Sequence, residues 1–346
     1  MAVNNIVLEI EKYCNIHDIK DAKHTINKYI RKTPLIQSMF LSRNITGGNI
    51  FLKLENMQYT GSFKFRGALN KILHLTEEHK SKGIITASAG NHAQGLALTG
   101  KLLGIKTTVV MPEEAPISKQ NATKGYGAEV ILKGETFNDS RLYMQELAHK
   151  TGKTIVHPYD DSLVMAGQGT IGLEILEDIW NVDTVIVPVG GGGLISGIAT
   201  ALKSFNPSIH IIGVQSENVH GMTHSIKQGI ITPQFTNHTI ADGTEVAIPG
   251  DKTFEVANQL VDEFVLVSEE EISTAMHQLM QRAKIITEGA GALPTAALIS
   301  EKIDPRWIKN KNVVALVSGG NVDLTRISHI IDHLLQPADT HEGVIG

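Results

Sequence analysis

The stretch Ser62-Phe63-Lys64-Phe65-Arg66-Gly67-Ala68 contains a lysine where a purely structural lysine gains little. Apolar residues recur at helical spacing after it, so Lys64 is predicted to lie in the first turn of an amphipathic helix with Ser62 as N-cap. The positive end of the helix dipole disfavours a cation, so this amine should lose its proton readily and serve as a nucleophile for Schiff-base formation. The alternative is a surface lysine whose ammonium group stays in water.

Four consecutive glycines, Gly190 to Gly193, connect the apolar run 183–189 to a helix predicted to open at Leu194. Glycines between a strand and a helix allow backbone N–H groups to approach an anion closely, and the helix dipole adds to the attraction. A tight turn alone needs one or two glycines. The run therefore predicts a phosphate-binding loop.

A dinucleotide site is the alternative for the same loop. Gly191, Gly193 and Gly197 fit a relaxed fingerprint, and Glu217 after the next predicted strand could hold a ribose. No Gly-x-Gly-x-x-Gly register fits the run, and the lysine of a Walker loop is missing. A non-catalytic nucleotide-binding module stays open on this reasoning.

Two further loops follow predicted strands. The loop 86–93 offers Ser88, Asn91 and an exposed His92 imidazole, which together with backbone N–H groups suit a carboxylate, although Ser88 or Asn91 could equally be a plain helix cap. The loop 318–321 places Ser318 where its hydroxyl could meet a ligand ring nitrogen; taken alone, such a loop is more often a turn.

Composition narrows the classes of partner. The chain has 346 residues, 31 Lys and Arg against 36 Asp and Glu, and no basic block, which argues against nucleic-acid binding and for a small-molecule ligand. One cysteine, Cys14, suits a reducing cytoplasm and a packing role. Glu9 and Glu11 are unlike a signal peptide, and no apolar run is long enough to cross a bilayer.

Other catalytic classes have little support. The pairs His220/His224 and His329/His333 have helical zinc spacing, but neither has a matching cysteine or acidic cluster, so no metal is expected. The Gly-x-Ser-x-Gly elbow of a serine hydrolase is absent.

Short β-branched runs alternate with helical patterns from residue 84 onward, which predicts βαβ units, parallel sheets and ligands at the carboxyl ends of the strands. The predicted strands are 84–86, 107–111, 129–132, 185–187, 209–214 and 313–317. We place a small inserted domain at 76–159 and a large domain at 1–75 and 160–346.

Together the loops resemble the pyridoxal-phosphate enzymes of fold type II, in the threonine dehydratase and serine racemase branch. The resemblance rests on Ser-Phe-Lys-x-Arg-Gly-Ala, Ser-Ala-Gly-Asn-His, Gly-Gly-Gly-Gly-Leu and Ser-Gly-Gly-Asn in that order, and it is nearest to the catabolic threonine dehydratases through 167–171 and 287–292. It implies an α/β fold of two three-layer domains with mainly parallel sheets and no C-terminal regulatory domain.

The resemblance also implies a role for each residue. Lys64 would carry pyridoxal 5'-phosphate and act as the base at the substrate Cα, and Ser88, Asn91 and His92 would bind the substrate carboxylate. The cofactor-binding set would be Phe63, Lys64, Asn91, Gly190, Gly191, Gly192, Gly193, Leu194 and Ser318. The implied reaction is β-elimination of water from L-threonine, and from L-serine, followed by release of ammonia to give 2-oxobutanoate or pyruvate.

Departures from related branches bear on the reaction. Similar racemases have a serine where this chain has Ala89 and an acidic metal cluster where it has Gln215, Val219 and Gly221, so efficient racemisation is not expected, although a racemase-like enzyme remains the alternative. Cysteine synthases have an aspartate after the lysine, where this chain has Phe65.

The resemblance implies partners as well. A cytoplasmic homodimer or homotetramer with an amino-acid substrate is expected. AMP activates enteric relatives, whose site would correspond here to Tyr59, Thr60, Gln94, Gly125, Tyr126 and Asn321. Because those relatives have an arginine at the position of Tyr59, activation by a nucleotide stays open.

Overall fold

Two β-sheets organise the chain in a computed structural model that describes residues 12–45, 47–234 and 237–335. The described strands are β1 (Leu35–Gln37), β2 (Asn49–Leu54), β3 (Ile84–Ala87), β4 (Thr107–Met111), β5 (Glu129–Leu132), β6 (Thr154–Ile155), β7 (Thr184–Pro188), β8 (His210–Ser216), β9 (Glu263–Val267) and β10 (Asn312–Val317). The α/β prediction is confirmed. Glu9 and Glu11 lie outside the described residues.

Helices cover both sheets. They are α1 (Ile16–Ile26), α2 (Met39–Ile45), α3 (Lys64–Leu73), α4 (Glu77–Lys82), α5 (Asn91–Leu103), α6 (Ile117–Gly125), α7 (Phe137–Thr151), α8 (Ser162–Asp178), α9 (Gly193–Phe205), α10 (Gly221–Gln228), α11 (Asp251–Leu260), α12 (Glu269–Gln278), α13 (Gly289–Ile299) and α14 (Leu324–Leu335). None of these described helices is both long and apolar enough to span a membrane.

The larger sheet has the strand order β1-β2-β10-β7-β8-β9, in which β1 runs antiparallel to β2 and the other neighbours are parallel. Strand β10 lies between β2 and β7, so the chain returns to the middle of the sheet with its last strand. The loops after β7 and β10 therefore meet at the same edge, which is where open α/β sheets bind ligands.

The smaller sheet has the order β5-β4-β3-β6 and is parallel throughout. All four of its strands lie within 76–159, the segment predicted to be an inserted domain; the domain boundaries themselves stay a prediction. Strands β3, β4 and β5 match their predicted positions closely, as do β7, β8 and β10 in the larger sheet. Strands β1, β2, β6 and β9 were not predicted, and the charged Lys53 breaks the apolar pattern of β2.

Strand β10 shows why apolar runs become buried strands. Successive side chains point to opposite faces, so Val313, Ala315 and Val317 join one hydrophobic core while Val314 and Leu316 join another. Because both faces are covered, the whole run is apolar rather than alternating.

A buried ion network fixes the start of helix α3. The Arg66 guanidinium donates two hydrogen bonds to Glu55, at 2.9 and 2.8 Å, and two to Glu174, at 2.6 and 3.0 Å. Lys53 donates to Glu174 at 2.7 Å and to the Thr33 carbonyl at 2.7 Å. Burial works against the Glu174 carboxylate, but Arg66 and Lys53 hold its pKa below the usual value. Two cations and two anions thus tie α3 to β2 and α8.

We predict that Glu174→Ala lowers stability by about 3–5 kcal/mol, because it leaves Arg66 and Lys53 buried without a counter-charge. Thermal unfolding followed by circular dichroism measures the change. The matched control is Glu78→Ala, which removes an exposed ion pair with Lys82 and should leave the midpoint unchanged. Equal midpoints for the two variants would contradict a role for the network in stability.

Candidate active site

Lys64 begins helix α3, as predicted from its position in the sequence. Its Nζ donates a hydrogen bond to the Pro158 carbonyl at 2.9 Å and lies 5.2 Å from the centre of the Phe63 ring. Burial lowers the pKa of the Lys64 ammonium to about 8, against an opposing effect of the Glu288 carboxylate. The site therefore contains a lysine amine that is available in its neutral form near physiological pH.

The predicted N-cap is wrong. Phe63, not Ser62, precedes the helix, and Ser62 instead forms an isolated bridge with Gly319. The Phe63 N–H donates to the Ser318 carbonyl at 3.2 Å. Residues 62 and 63 therefore pair with the loop after β10. This pairing keeps Ser62 from capping the helix, and it brings Ser318 beside the start of α3.

The four glycines form the turn between β7 and α9, and the turn has no room for side chains. A Cβ on Gly191 would overlap the Tyr159 ring, and one on Gly193 would lie 2.8 Å from the Tyr159 carbonyl oxygen. Gly192 has φ +96, which also favours glycine. Helix α9 begins at Gly193, so the first N–H groups of a helix without intrahelical partners face this turn. Leu194 follows in the first turn and is buried.

The segment 157–160 joins the lysine to the glycine turn. Its Pro158 carbonyl accepts from Lys64, and its Tyr159 ring packs over Gly191. The His157 Nδ1 accepts the N–H groups of Tyr159 at 3.3 Å and Asp160 at 2.8 Å, which closes the turn. Sequence reasoning did not identify this segment, because it has no glycine pattern or charge signal.

The loop after β3 leads into helix α5, and Gly90 is its N-cap. Neither Ser88 nor Asn91 caps the helix with its side chain; the Ser88 hydroxyl accepts the Gly90 N–H at 3.2 Å. The prediction that the His92 imidazole is exposed is wrong. His92 is buried, its Nε2 donates to the Val156 carbonyl at 3.0 Å, and burial lowers its pKa to about 3. A ligand at this loop can therefore meet only the backbone of His92.

Glu288 is a site residue that the sequence reasoning missed. Its carboxyl group is buried at the start of α13, accepts a hydrogen bond from Asn91 Nδ2 at 2.7 Å, and lies against Gly319, where a Cβ would overlap it. Burial and then Asp242 raise its pKa to about 8. The sequence feature that could have identified it is a single acidic residue, Glu288, directly before the run of small residues 289–292.

Ser318 ends up almost fully buried at the carboxyl end of β10. Its carbonyl accepts from Phe63, whereas its hydroxyl has no hydrogen-bond partner among the described residues. A neutral donor next to the lysine is thus left for a ligand.

The residues of the expected effector site lie on neighbouring elements, and the turn 59–61 contacts the helix α5 that carries Gln94. Asn321 Nδ2 donates to the Thr60 carbonyl at 2.7 Å, and Tyr59 lies under the Arg31 guanidinium, 4.3 Å from the ring centre. Gly125 and Tyr126 end α6, and Tyr126 packs against the core of α5, the helix that carries Gln94.

The residues named for the alternatives have other partners in the structure. Glu217, expected to hold a ribose in the nucleotide-binding alternative, pairs instead with Lys302 at 3.0 Å. The His220 imidazole contacts the Glu217 carbonyl at 2.9 Å and the Gln234 amide. Within the described part of the chain no three His, Cys, Asp or Glu side chains cluster as metal ligands would, and the His333 side chain lies outside it.

Comparison with known proteins identifies similar chains. A family model described as pyridoxal-phosphate dependent enzyme matches residues 26–319. L-threonine dehydratase catabolic TdcB of Staphylococcus aureus strain N315 is 70% identical over 346 residues, which is 100% of both chains. Among solved structures, maize serine racemase superposes with a TM-score of 0.88 at 36% identity and covers 93% of this chain and 98% of its own. The processed threonine deaminase isoform 2 of Solanum lycopersicum has a TM-score of 0.87 at 37% identity, covering 94% and 93%.

We predict that the Lys64 amine titrates near pH 8 in ligand-free protein. Competitive acetylation at a series of pH values, read by peptide mass spectrometry, measures the neutral fraction. Lys150 is the internal control, because its ion pair with Glu146 raises its pKa above the ordinary value. At pH 8 about half of Lys64 should react as the free amine, against well under about 1% of an ordinary lysine. A midpoint for Lys64 equal to that of Lys150 would refute the assignment.

Proposed function

This chain belongs to the pyridoxal-phosphate-dependent enzyme family, and we propose that it is a threonine dehydratase, which deaminates L-threonine to 2-oxobutanoate and ammonia and L-serine to pyruvate and ammonia. The relative that matches the whole chain at 70% identity is named as a catabolic L-threonine dehydratase. The observation that carries the proposal is Lys64, a partly buried amine that contacts the Pro158 carbonyl, has a pKa of about 8 and lies beside the loop of Ser318. The enzyme is a carbon–nitrogen lyase.

The residues present fit pyridoxal 5'-phosphate. The turn 190–193 has N–H groups and no space for side chains, which suits the phosphate together with the N–H of Leu194. The Ser318 hydroxyl, without a partner among the described residues, suits the ring nitrogen. Asn91 suits the ring oxygen, and the Phe63 ring would pack beside the pyridine ring. These roles are part of the proposal.

When bound, pyridoxal phosphate supplies an electron-accepting ring that stabilises negative charge at the substrate Cα. Lys64 acts as the base that removes the proton from Cα, and its lowered pKa keeps part of the amine free for this role. Ser318 would present a neutral hydroxyl, rather than a carboxylate, to the ring nitrogen and so would not hold that nitrogen protonated. Negative charge at the substrate Cα would then be short-lived, which favours loss of the β-hydroxyl over transamination. The water lost in elimination returns on hydrolysis, so threonine yields 2-oxobutanoate and ammonia with all atoms balanced.

The substrate carboxylate binds at the start of helix α5. Ser88, Asn91 and the backbone N–H of His92 lie there, at the positive end of the helix dipole. The His92 imidazole takes no part, because it is buried and hydrogen-bonded to Val156.

Localisation, assembly and regulation belong to the same proposal. The enzyme is cytoplasmic and forms a homodimer or homotetramer. A nucleotide effector binds at Tyr59, Thr60, Gln94, Gly125, Tyr126 and Asn321. The position of Arg31 over Tyr59 supports this site, because a guanidinium supplies the cation for a phosphate that Tyr59 itself lacks.

Serine racemisation is the second candidate, favoured by the maize structure and by a serine racemase of Dictyostelium discoideum with a TM-score of 0.84 at 39% identity, which covers 90% of this chain and 99% of its own. Two residues argue against it. Ala89 offers no proton donor, and Gln215 stands where similar racemases have metal ligands. Gln215 Nε2 donates to the Val189 carbonyl at 3.1 Å, and its Oε1 accepts from Thr223. The amide thus joins the segment before the glycine turn to α10.

We predict that Lys64→Ala abolishes both the visible chromophore of the bound cofactor and threonine turnover, because the variant has no amine at the base of α3. Absorption spectra and release of 2-oxobutanoate measure the two effects. Lys150→Ala, on the exposed face of α7, is the control and should behave like the wild type. Near-normal dehydratase activity in Lys64→Ala would remove the central assignment.

Ala89→Ser separates the two candidate activities. A hydroxyl at this partly buried position adds little bulk and supplies the proton donor that Ala89 lacks, so we expect some loss of threonine turnover and a low yield of D-serine from L-serine. Chiral chromatography of the products measures the yield, and Ala89→Gly, which adds no donor, is the control. The prediction is wrong if a folded, chromophore-bearing Ala89→Ser variant makes no D-serine.

A further inference from the structure

The side-chain amide of Asn91 has both of its polar atoms held by other residues. Its Nδ2 donates to Glu288 Oε1 at 2.7 Å, and its Oδ1 accepts from Asn321 Nδ2 at 2.7 Å. An amide nitrogen carries two N–H groups. The Asn91 side chain therefore keeps one further N–H for a ligand, and its oxygen, which can accept two hydrogen bonds, already accepts one from Asn321.

A backbone carbonyl determines the direction of this chain of amides. The Thr60 carbonyl can only accept, so the atom of Asn321 that lies 2.7 Å from it must be Nδ2. The same Nδ2 then faces Asn91, which must present its Oδ1 there and its Nδ2 to Glu288. The Thr60 carbonyl, which can only accept, thus determines the orientation of the Asn321 amide and, through it, that of the Asn91 amide.

The packing around Asn321 keeps this arrangement from relaxing. A Cβ on Gly61 would lie 2.6 Å from Asn321 Oδ1, so the close approach requires glycine. Gly61 and Thr60 both have positive φ, of +70 and +66. The Thr60 backbone is strained for a residue with a side chain, and it is held at the place where its carbonyl meets Asn321.

Glu288 closes the other end of the chain. Its carboxyl group is buried against Gly319 and also faces the backbone N–H of Asn321. The charged groups that act on it are Asp242 and Lys119 from neighbouring segments, and it acts in turn on Lys64. Burial and Asp242 raise its pKa to about 8, so at neutral pH it is largely protonated and still accepts through one oxygen.

We propose that Asn321 and Glu288 are positioning residues that hold the Asn91 amide with an N–H, rather than its carbonyl, toward the oxygen of the bound cofactor ring. The inference rests on the proposed function, because it takes the cofactor to lie against Asn91. An amide turned over by half a rotation would place a carbonyl against that oxygen, so the positioning residues act on cofactor affinity through Asn91.

Asn321→Asp tests the proposal with little change of shape. A carboxylate cannot donate to Thr60 or to Asn91, so it draws the Asn91 nitrogen toward itself and turns the amide over. We expect the dissociation constant for pyridoxal phosphate, measured by titrating the apoenzyme, to rise about tenfold or more. The matched control is Asn312→Asp, at the opposite edge of the sheet. Asn312 also donates to a backbone carbonyl, that of Asn181, and pairs with another asparagine, Asn49.

A double-mutant cycle separates positioning from a general structural effect. In an Asn91→Ala background the amide is absent, so adding Asn321→Asp should change the dissociation constant by less than about twofold. The proposal is wrong if Asn321→Asp raises the dissociation constant by the same factor in the Asn91→Ala background as in the wild type. If Asn321→Asp does not fold, Asn321→Ala, which removes the donor without adding charge, enters the same cycle.

Variants of Glu288 test the other end. Glu288→Gln keeps an uncharged acceptor and should retain affinity, whereas Glu288→Leu should lose it and shift the absorption maximum of the bound cofactor. Wild-type affinity in Glu288→Leu, or in Asn321→Asp, would refute the inference while leaving the proposed function intact. Failure of wild-type protein to form a borohydride-reducible link at Lys64 would instead refute the proposed function, and the inference with it.

Discussion

The buried pairing of Arg66 with Glu55 and Glu174 is the interaction on which the site depends. Arg66 lies two residues after Lys64, so the guanidinium that anchors helix α3 also sets the height and rotation of the lysine. Glu55 follows β2 and Glu174 belongs to α8, so the network joins a central strand to a covering helix. Removing one member would leave a charge without a partner in the core, which costs far more than losing an exposed ion pair.

Around that anchor, the site is assembled from loops at the carboxyl ends of strands in both sheets. The Ser318 loop pairs with the backbone ahead of Lys64, and the segment 157–160 connects the lysine to the glycine turn. Most of these contacts use backbone atoms, so the positions of the loops do not depend on the rotamers of their side chains. The glycines at 191, 193 and 319 are required by close approach of neighbouring groups, which would clash with a Cβ.

The titratable groups near the lysine are shifted toward their neutral forms. Burial lowers the pKa of Lys64 and of His92 and raises that of Glu288. At neutral pH the His92 imidazole and most of the Glu288 carboxyl groups are uncharged, whereas most of the Lys64 amine is still protonated at a pKa of about 8. Beside that cation the site presents N–H and O–H donors. Such a site suits a cofactor and a substrate that bring a phosphate and a carboxylate with them, because the donors need little reorganisation to receive those anions.

Local periodicity and glycine placement were sufficient for the parallel sheets, for six of the strands, for Lys64 at the start of a helix and for the glycine turn. These signals act over a few residues and can be recognised without long-range contacts. The prediction that Lys64, the glycine turn and the Ser318 loop form one site came from the resemblance to a known family. Tertiary structure alone decided that Ser62 pairs with Gly319 instead of capping a helix, that the His92 imidazole is buried, and that Glu288 and Asn321 fix the Asn91 amide. Those outcomes join residues 64 to 257 positions apart in the chain, and hydrogen bonding between such distant groups leaves no periodic trace in the sequence.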